Sequence, residues 1–383
     1  MIFQTPTLGP EEERALAKID ELRRDLRFYL ADPRRWIGSV RRVLSAKAIQ
    51  GSNSIEGYNV SDEDALAAVE GDEPMDAEQE NWEAVCSYRR AMTYVLQLAH
   101  DEHFEYSPSL IRSLHFMMTE YSLDAGPGLW RPGPIWIRND ATGDIVYEGP
   151  EPAEVPALID ELLADLSTGH DEPAMVRGAM AHLNLIMIHP FRDGNGRMSR
   201  CLQTLVLARD QILAPEWSSI EEYLGVNTQA YYGVLADVGT RKWDPTQDAR
   251  PWVRFCLEAH YVQAASVLRR VRESEKIWIE LTSRIAKARL QERTIVALFD
   301  AALGMRVKNS AYRSALKYGA DEEISVQVAT SDLKALVGAG LLVQHGKKRG
   351  TYYVAAPDVL EIRAELRRQR PKIDTTSLFR QAA

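Results

Sequence analysis

The chain has 383 residues, 45% of them hydrophobic and 26% charged, with a formal net charge of −9. That balance is an ordinary soluble globular protein of two or three domains, and the acidic excess argues against nucleic acid as a partner except through a local patch. Cys86, Cys201 and Cys256 are scattered and odd in number, which excludes a disulfide framework or a cysteine-built zinc site and fits a reducing cytoplasm.

In chain order, Pro10–Leu30 reads as a charged helix with Glu11, Glu12 and Glu13 in its first turn, where negative charge suits the helix dipole. The N-terminal residues lack the basic and apolar regions of a signal peptide, and no apolar run is long enough to span a bilayer. A second helix is expected over Arg34–Ile49, followed by a separate short helix in Ser52-Asn53-Ser54-Ile55-Glu56-Gly57, capped by Ser52 and stopped by Gly57. Glu78–Leu98 carries Trp82, Val85, Met92, Val95 and Leu96 at helical spacing, and Pro108 opens the next helix. Ile135–Tyr147 reads as a β-hairpin around the polar loop Asn139-Asp140-Ala141-Thr142-Gly143-Asp144. After it comes an amphipathic helix with Val155, Leu158, Ile159, Leu162 and Leu163 on one face.

Ala174–Ile188 turns apolar nearly all round, as a central helix does. It runs into His189-Pro190-Phe191-Arg192-Asp193-Gly194-Asn195-Gly196-Arg197, where another helix begins with Leu202, Leu205, Val206, Ile212 and Leu213 inward. Further helices are expected at Tyr223–Leu235 and Pro251–Leu268, continuing as a charge-rich helix to Leu290. From Gln291, three helices and a terminal hairpin around His345-Gly346-Lys347-Lys348-Arg349-Gly350 make a winged helix-turn-helix pattern.

The chemistry concentrates in the central loop. Gly194 and Gly196 permit backbone conformations closed to other residues and leave room beside the chain. A loop entering a helix start turns free N–H groups toward a common point, which suits an anion. Arg197 and Arg200, three apart, share a face and match phosphate with planar forks. Asp193 in this positive setting makes sense as a holder of Mg²⁺, which uses one or two carboxylates plus phosphate oxygens. His189, with an unperturbed pKa near neutrality, suits a general base for a hydroxyl attacking phosphorus.

The string His-Pro-Phe-x-Asp-Gly-Asn-Gly-Arg-x-x-Arg resembles the signature of the Fic domain family at every fixed position, with Arg192, Met198 and Ser199 at the variable ones. The resemblance implies a mainly helical, all-α fold with a β-hairpin flap, here joined to a small α+β winged helix domain. It implies transfer of AMP from ATP to a Ser, Thr or Tyr hydroxyl. His189 would be the base and Asp193 would bind Mg²⁺ or Mn²⁺. ATP would lie on Gly194, Asn195, Gly196, Arg197 and Arg200, with Met198 and Ser199 in the same stretch. Tyr231 is the expected adenosine contact. Ser52, Glu56 and Gly57 resemble the family's inhibitory motif, in which Glu56 would pair with Arg200 in place of the γ-phosphate. The 135–147 hairpin corresponds to the flap on which a protein substrate, or a second copy during self-modification, would dock.

The expected division is 1–110 with the inhibitory motif, a catalytic core over 111–265, a connector over 266–290, a winged helix over 291–360 and a tail over 361–383. Lys347, Lys348 and Arg349 suit phosphate contacts, but the presumed recognition helix Ser325–Gly338 is not basic, so DNA is not the favoured partner. A homo-oligomer is open. Two other readings remain: a de-AMPylating enzyme in which Glu56 positions water, and a transcriptional regulator that senses nucleotide.

Overall fold

A computed structural model describes every residue except 139–142, 169–170, 212 and 380–383. The expected flap turn Asn139-Asp140-Ala141-Thr142 and the inward-facing Ile212 therefore lie outside the described residues, as does the side chain of Arg349. In chain order the helices before the flap are α1 (Pro10–Ala31), α2 (Ile37–Ile55), α3 (Asp62–Glu70), α4 (Gln79–Leu98) and α5 (Pro108–Thr119). Strands β1 (Trp136–Arg138) and β2 (Ile145–Glu148) pair antiparallel, with Ile137 opposite Tyr147. Then come α6 (Val155–Thr168), α7 (Ala174–Ile188), α8 (Asn195–Arg209), the single turn α9 (Pro215–Ser218), α10 (Glu221–Val226) and α11 (Thr228–Gly239). One continuous helix of 38 residues, α12 (Arg250–Lys287), leads to α13 (Ile295–Ala302), α14 (Asn309–Ala320) and α15 (Val326–Gly338). The chain closes with the hairpin β3 (Leu342–His345) and β4 (Tyr352–Ala355), and α16 (Pro357–Arg368). No described helix is long and apolar enough to cross a membrane.

The fold is mostly helical, as expected. Helices α7 and α8 form its central pair, buried on nearly every side, and an all-round apolar α7 has no solvent face to offer. Helices α4, α5 and α6 pack their apolar stripes on one side of this pair, while α11 and the first half of α12 cover the other. A third apolar cluster joins the first half of α2, the second half of α12 and α13–α15. There β4 gains a third partner, because Val307 and Tyr353 exchange backbone hydrogen bonds of 2.8 and 2.9 Å. Three helices and this small sheet are compatible with a winged helix.

One local expectation is corrected. Ser52–Ile55 is not a separate short helix; it is the last turn of α2, which runs unbroken from Ile37. Ser52 therefore caps nothing. Gly57 does end the segment, at φ +87°, a conformation glycine adopts without steric cost.

Candidate active site

The loop between α7 and α8 is held from both sides. His189 ends α7 in the left-handed conformation, at φ 50° and ψ 59°, which is uncommon for a residue with a side chain. Arg131 pins it there: its Nε donates to the His189 carbonyl at 2.9 Å, Nη1 to Gly133 at 2.7 Å, and Nη2 to Pro150. One guanidinium thus ties the α7–α8 loop to both ends of the β1–β2 hairpin. Tyr147 of β2 adds a hydrogen bond of 2.7 Å to the Met187 carbonyl.

The half-buried His189 ring donates from Nδ1 to the Ile186 carbonyl at 3.1 Å. A carbonyl only accepts, so this contact places the proton on Nδ1 and leaves the lone pair on Nε2. Burial pushes the imidazole pKa down to about 4, against the raising effect of that backbone contact and with Arg131 adding to the fall. At neutral pH the ring is a neutral acceptor.

Beyond His189 the loop is closed by its own side chains. Asn195 donates to the Phe191 carbonyl and accepts from the Phe191 N–H, both at 2.9 Å. Phe191 is fully buried and stacks on His115, with ring centroids 3.6 Å apart and planes at 1°. His115 Nε2 donates to the Asp193 carbonyl at 2.9 Å, and its Nδ1 accepts from Gly128 N–H at 2.9 Å. Burial holds this ring down to about pKa 4 as well, so it stays neutral. Gly194, at φ +76°, lies against Thr119 and His115, where a Cβ would crowd both. The Asp193 side chain is exposed, and its Oδ1 accepts from Gly194 N–H at 2.6 Å.

Helix α8 then presents Arg197 and Arg200, both fully buried, on one face. Arg197 donates to the Tyr121 hydroxyl at 3.1 Å and lies 4.8 Å from the centroid of the Tyr58 ring. Arg200 donates from Nε to Ser52 Oγ at 2.7 Å, and from Nη2 to the Ser52 carbonyl at 2.9 Å and to Glu56 Oε1 at 2.6 Å. Its Nη1 is buried without a hydrogen-bond partner. The Glu56 carboxylate fills the space that a Cβ on Gly196 would need. A carboxylate thus stands at the first turn of α8, where backbone N–H groups favour negative charge. The Arg200 guanidinium is held charged: Glu56 opposes the effect of burial and raises its pKa.

The structure therefore brings His189, Asp193, Gly194, Asn195, Gly196, Arg197, Arg200, Ser52 and Glu56 into one region. It turns two other expected site residues away from it. Met198 packs into the core of α4, α5 and α6, and Ser199 Oγ turns back to the Asn195 carbonyl at 2.8 Å. The helical period explains both, since it places 197 and 200 on one face and the two residues between them elsewhere. Tyr231 lies beside Arg200 but is 1% exposed, packed near Trp252, with its hydroxyl on His182 Nε2 at 2.9 Å. It supports Arg200 from behind rather than meeting solvent where a base would stack. The neighbouring Tyr232 is 45% exposed and reaches the Ile55 carbonyl at 3.2 Å.

Sequence reasoning missed His115, Arg131, Tyr58, Tyr121 and Glu221. Glu221 is buried and accepts from Tyr88 and Thr204, each at 3.0 Å; burial raises its pKa while nearby Arg200 opposes the rise. Among the described residues no group of three or more His, Cys, Asp or Glu could cage a metal. A single exposed carboxylate at Asp193 fits Mg²⁺ held jointly with phosphate oxygens, the mode that needs no protein cage.

Residues 105–207 match the model of the Fic/DOC family. Over 119 residues the chain is 32% identical to protein adenylyltransferase fic-1 of Caenorhabditis briggsae and 30% identical to that of Caenorhabditis elegans. These stretches are 29% of this chain, and the chain spans about a fifth of the length of these curated relatives, 20% in each case. A Fic family protein from Desulfovibrio desulfuricans shares the fold, with a TM-score of 0.58 at 22% identity over 93% of this chain and 99% of that one. Fic-1 from C. elegans does so with a TM-score of 0.52 at 20% identity, over 69% of this chain and 73% of that one.

Proposed function

We propose that the protein, which matches the Fic/DOC family model over residues 105–207, is a self-inhibited adenylyltransferase that moves AMP from ATP onto a protein Ser, Thr or Tyr hydroxyl. One observation carries the reading: a neutral His189 with its Nε2 lone pair free precedes an anion nest in which the Glu56 carboxylate sits on Gly196 and Arg200.

His189 Nε2 takes the proton of the target hydroxyl as its oxygen attacks the α-phosphorus. The bond to the β-phosphate bridging oxygen breaks, and pyrophosphate leaves. Arg197 and Arg200 neutralise the β- and γ-phosphates through charge-assisted hydrogen bonds. Asp193 would hold Mg²⁺ or Mn²⁺, which when bound supplies charge neutralisation on the phosphates. The β1–β2 hairpin offers β1 as an edge on which an extended target segment can pair, and Arg131 holds that hairpin in register with His189. A second copy of the chain is a candidate target by the same route.

Glu56 competes directly with the triphosphate tail for Arg200. A second reading, removal of AMP, is favoured by Glu56 Oε2, which makes no hydrogen bond among the described residues and is open to orient a water.

Labelled ATP with the wild-type protein, Glu56→Gly and His189→Ala, alone and with a cell lysate, tests the assignment. Glu56→Gly is expected to raise labelling, and His189→Ala to reduce it by about 10²–10⁴-fold, the usual worth of a general base. A folded Glu56→Gly protein with unchanged labelling removes the brake. Undiminished labelling by His189→Ala removes the base. Loss of label from a pre-modified target only in the presence of Glu56 supports the second reading.

A further inference from the structure

Away from the loop, a small cavity of about 50 Å³ opens between α2, α12 and α16. Lys47, Arg270, Arg363, Arg367 and Arg370 converge on it, with Glu273 as the only acidic lining residue. Three of these cations are already matched. Arg270 makes a forked pair with Glu222 at 2.5 and 2.7 Å, Arg370 grips Glu273 with its Nε at 2.8 Å, and Lys47 reaches Asp62 at 2.6 Å. Among the described residues Arg363 and Arg367 make no ion pair of their own: the carboxylates near them, Asp62 and Glu273, are already paired with Lys47 and Arg370. Arg363 donates only to the Leu303 carbonyl, and the Arg367 side chain makes no hydrogen bond or ion pair among the described residues. The two lie four residues apart, one turn along the same face of α16.

Two unmatched guanidinium groups beside three satisfied cations cost the empty protein free energy, because like charges at short range repel and burial strips their hydration. Burial, reinforced by Arg367, Arg270 and Arg370, pushes the Arg363 pKa down to about 10. A solvated helix end would relieve this by turning its arginines outward. Arg363 instead remains partly buried against Leu303, under the apolar side of α2.

We propose that this hollow seats the phosphoryl end of a small ligand, with one phosphoryl dianion held between Arg363 and Arg367 and the rest of the ligand outside it. Two unmatched positive charges balance one such group, and stacked planar forks suit its oxygens. A duplex needs a stripe of cations along a surface, whereas these converge on one small hollow. The site is independent of the proposed transferase activity, since none of its residues belongs to the α7–α8 loop.

Calorimetric titration of the full chain with inorganic pyrophosphate tests it, because that probe carries the anionic chemistry without a nucleoside. Wild type is expected to bind, and Arg363→Gln/Arg367→Gln to bind about tenfold or more weakly. Arg367→Gln alone, at an exposed position where folding is not at stake, should lose about threefold. Arg197→Gln, which damages the α8 nest, should retain the binding. Parallel arms with AMP and with a short DNA duplex identify the source of the phosphoryl group. Equal pyrophosphate affinity in wild type and both α16 variants overturns the site. So does loss of binding in Arg197→Gln alone, or binding of the duplex with none of pyrophosphate.

Discussion

Helix α2 begins and ends in different chemistry. Its entry and first turns bury Trp36, Val40, Val43 and Leu44 in the cluster shared with α12 and α13, where Trp36 meets Phe299 at 6.3 Å between ring centroids. Its last turn has Ser52 and Asn53 fully buried and leads into Glu56, whose partner is the Arg200 guanidinium. At the first end, burial is non-directional and no solute can replace it. At the other, the contacts are directional and ionic, and another anion of the right shape offers the same hydrogen bonds. One helix therefore combines an apolar anchor with an ionic contact, which under the proposed function acts as an exchangeable plug.

The contrast breaks if the anchor proves dispensable. Trp36→Ala is expected to cost about 3–5 kcal/mol of unfolding free energy in a denaturant titration, the usual cost of emptying a large aromatic site. Labelling per folded molecule should stay at the wild-type level. A Trp36→Ala protein as active as Glu56→Gly would mean that the two ends are not separable.

Acid sharpens the contrast, because His115, His182 and His189 all stand at the plug end. Their folded pKa values, about 4, 3 and 4, lie below the ordinary 6.5. As pH falls below 6.5 the unfolded chain takes up protons that the folded one refuses, so stability present above that pH is lost progressively down to the folded values. Each histidine contributes up to about 1.4 kcal/mol per pH unit in that window. Melting temperature should fall from pH 6.5 to 4.5, and a flat profile would contradict neutral buried rings. In the same window the labelling rate of Glu56→Gly should not show the acid limb near 6.5 of an ordinary histidine.

The remaining two effects are smaller. Gly51 of α2 touches the backbone of Glu221 and Glu222, where a Cβ would collide. Gly51→Ala is expected to cost about 1–3 kcal/mol, as overpacking does, and to raise labelling by displacing the plug. A variant as stable and as silent as wild type would show the contact to be slack. Ser52→Ala, which removes the hydroxyl from Arg200, should cost about 1 kcal/mol in the same titration.

The gathering of the α7–α8 loop residues was legible because they lie in one contiguous string, and the helices because their apolar periods are long. The supporting contacts were not. Arg131 reaches His189 across 58 residues, and His115 reaches Asp193 across 78. Neither residue type nor spacing reports a contact made by folding. The union of Ser52–Ile55 with α2 escaped because Ser52 read as a cap, while Gly51 before it is a close helix–helix contact inside one continuous helix. Tyr231 carried a usable signal. With the helix restarted at Thr228, Tyr231, Leu235 and Val238 fall on one buried stripe, which marks the tyrosine as core.

Ser52 holds Arg200 by two contacts that do not involve the Glu56 side chain. Expelling the glutamate therefore requires no unwinding of the helix that carries it. A change of rotamer about the Glu56 side-chain bonds is enough, a motion of picoseconds to nanoseconds at a partly exposed residue. The guanidinium left behind stays aimed, its orientational entropy already spent, so the incoming ligand meets a receptor that is set before it arrives.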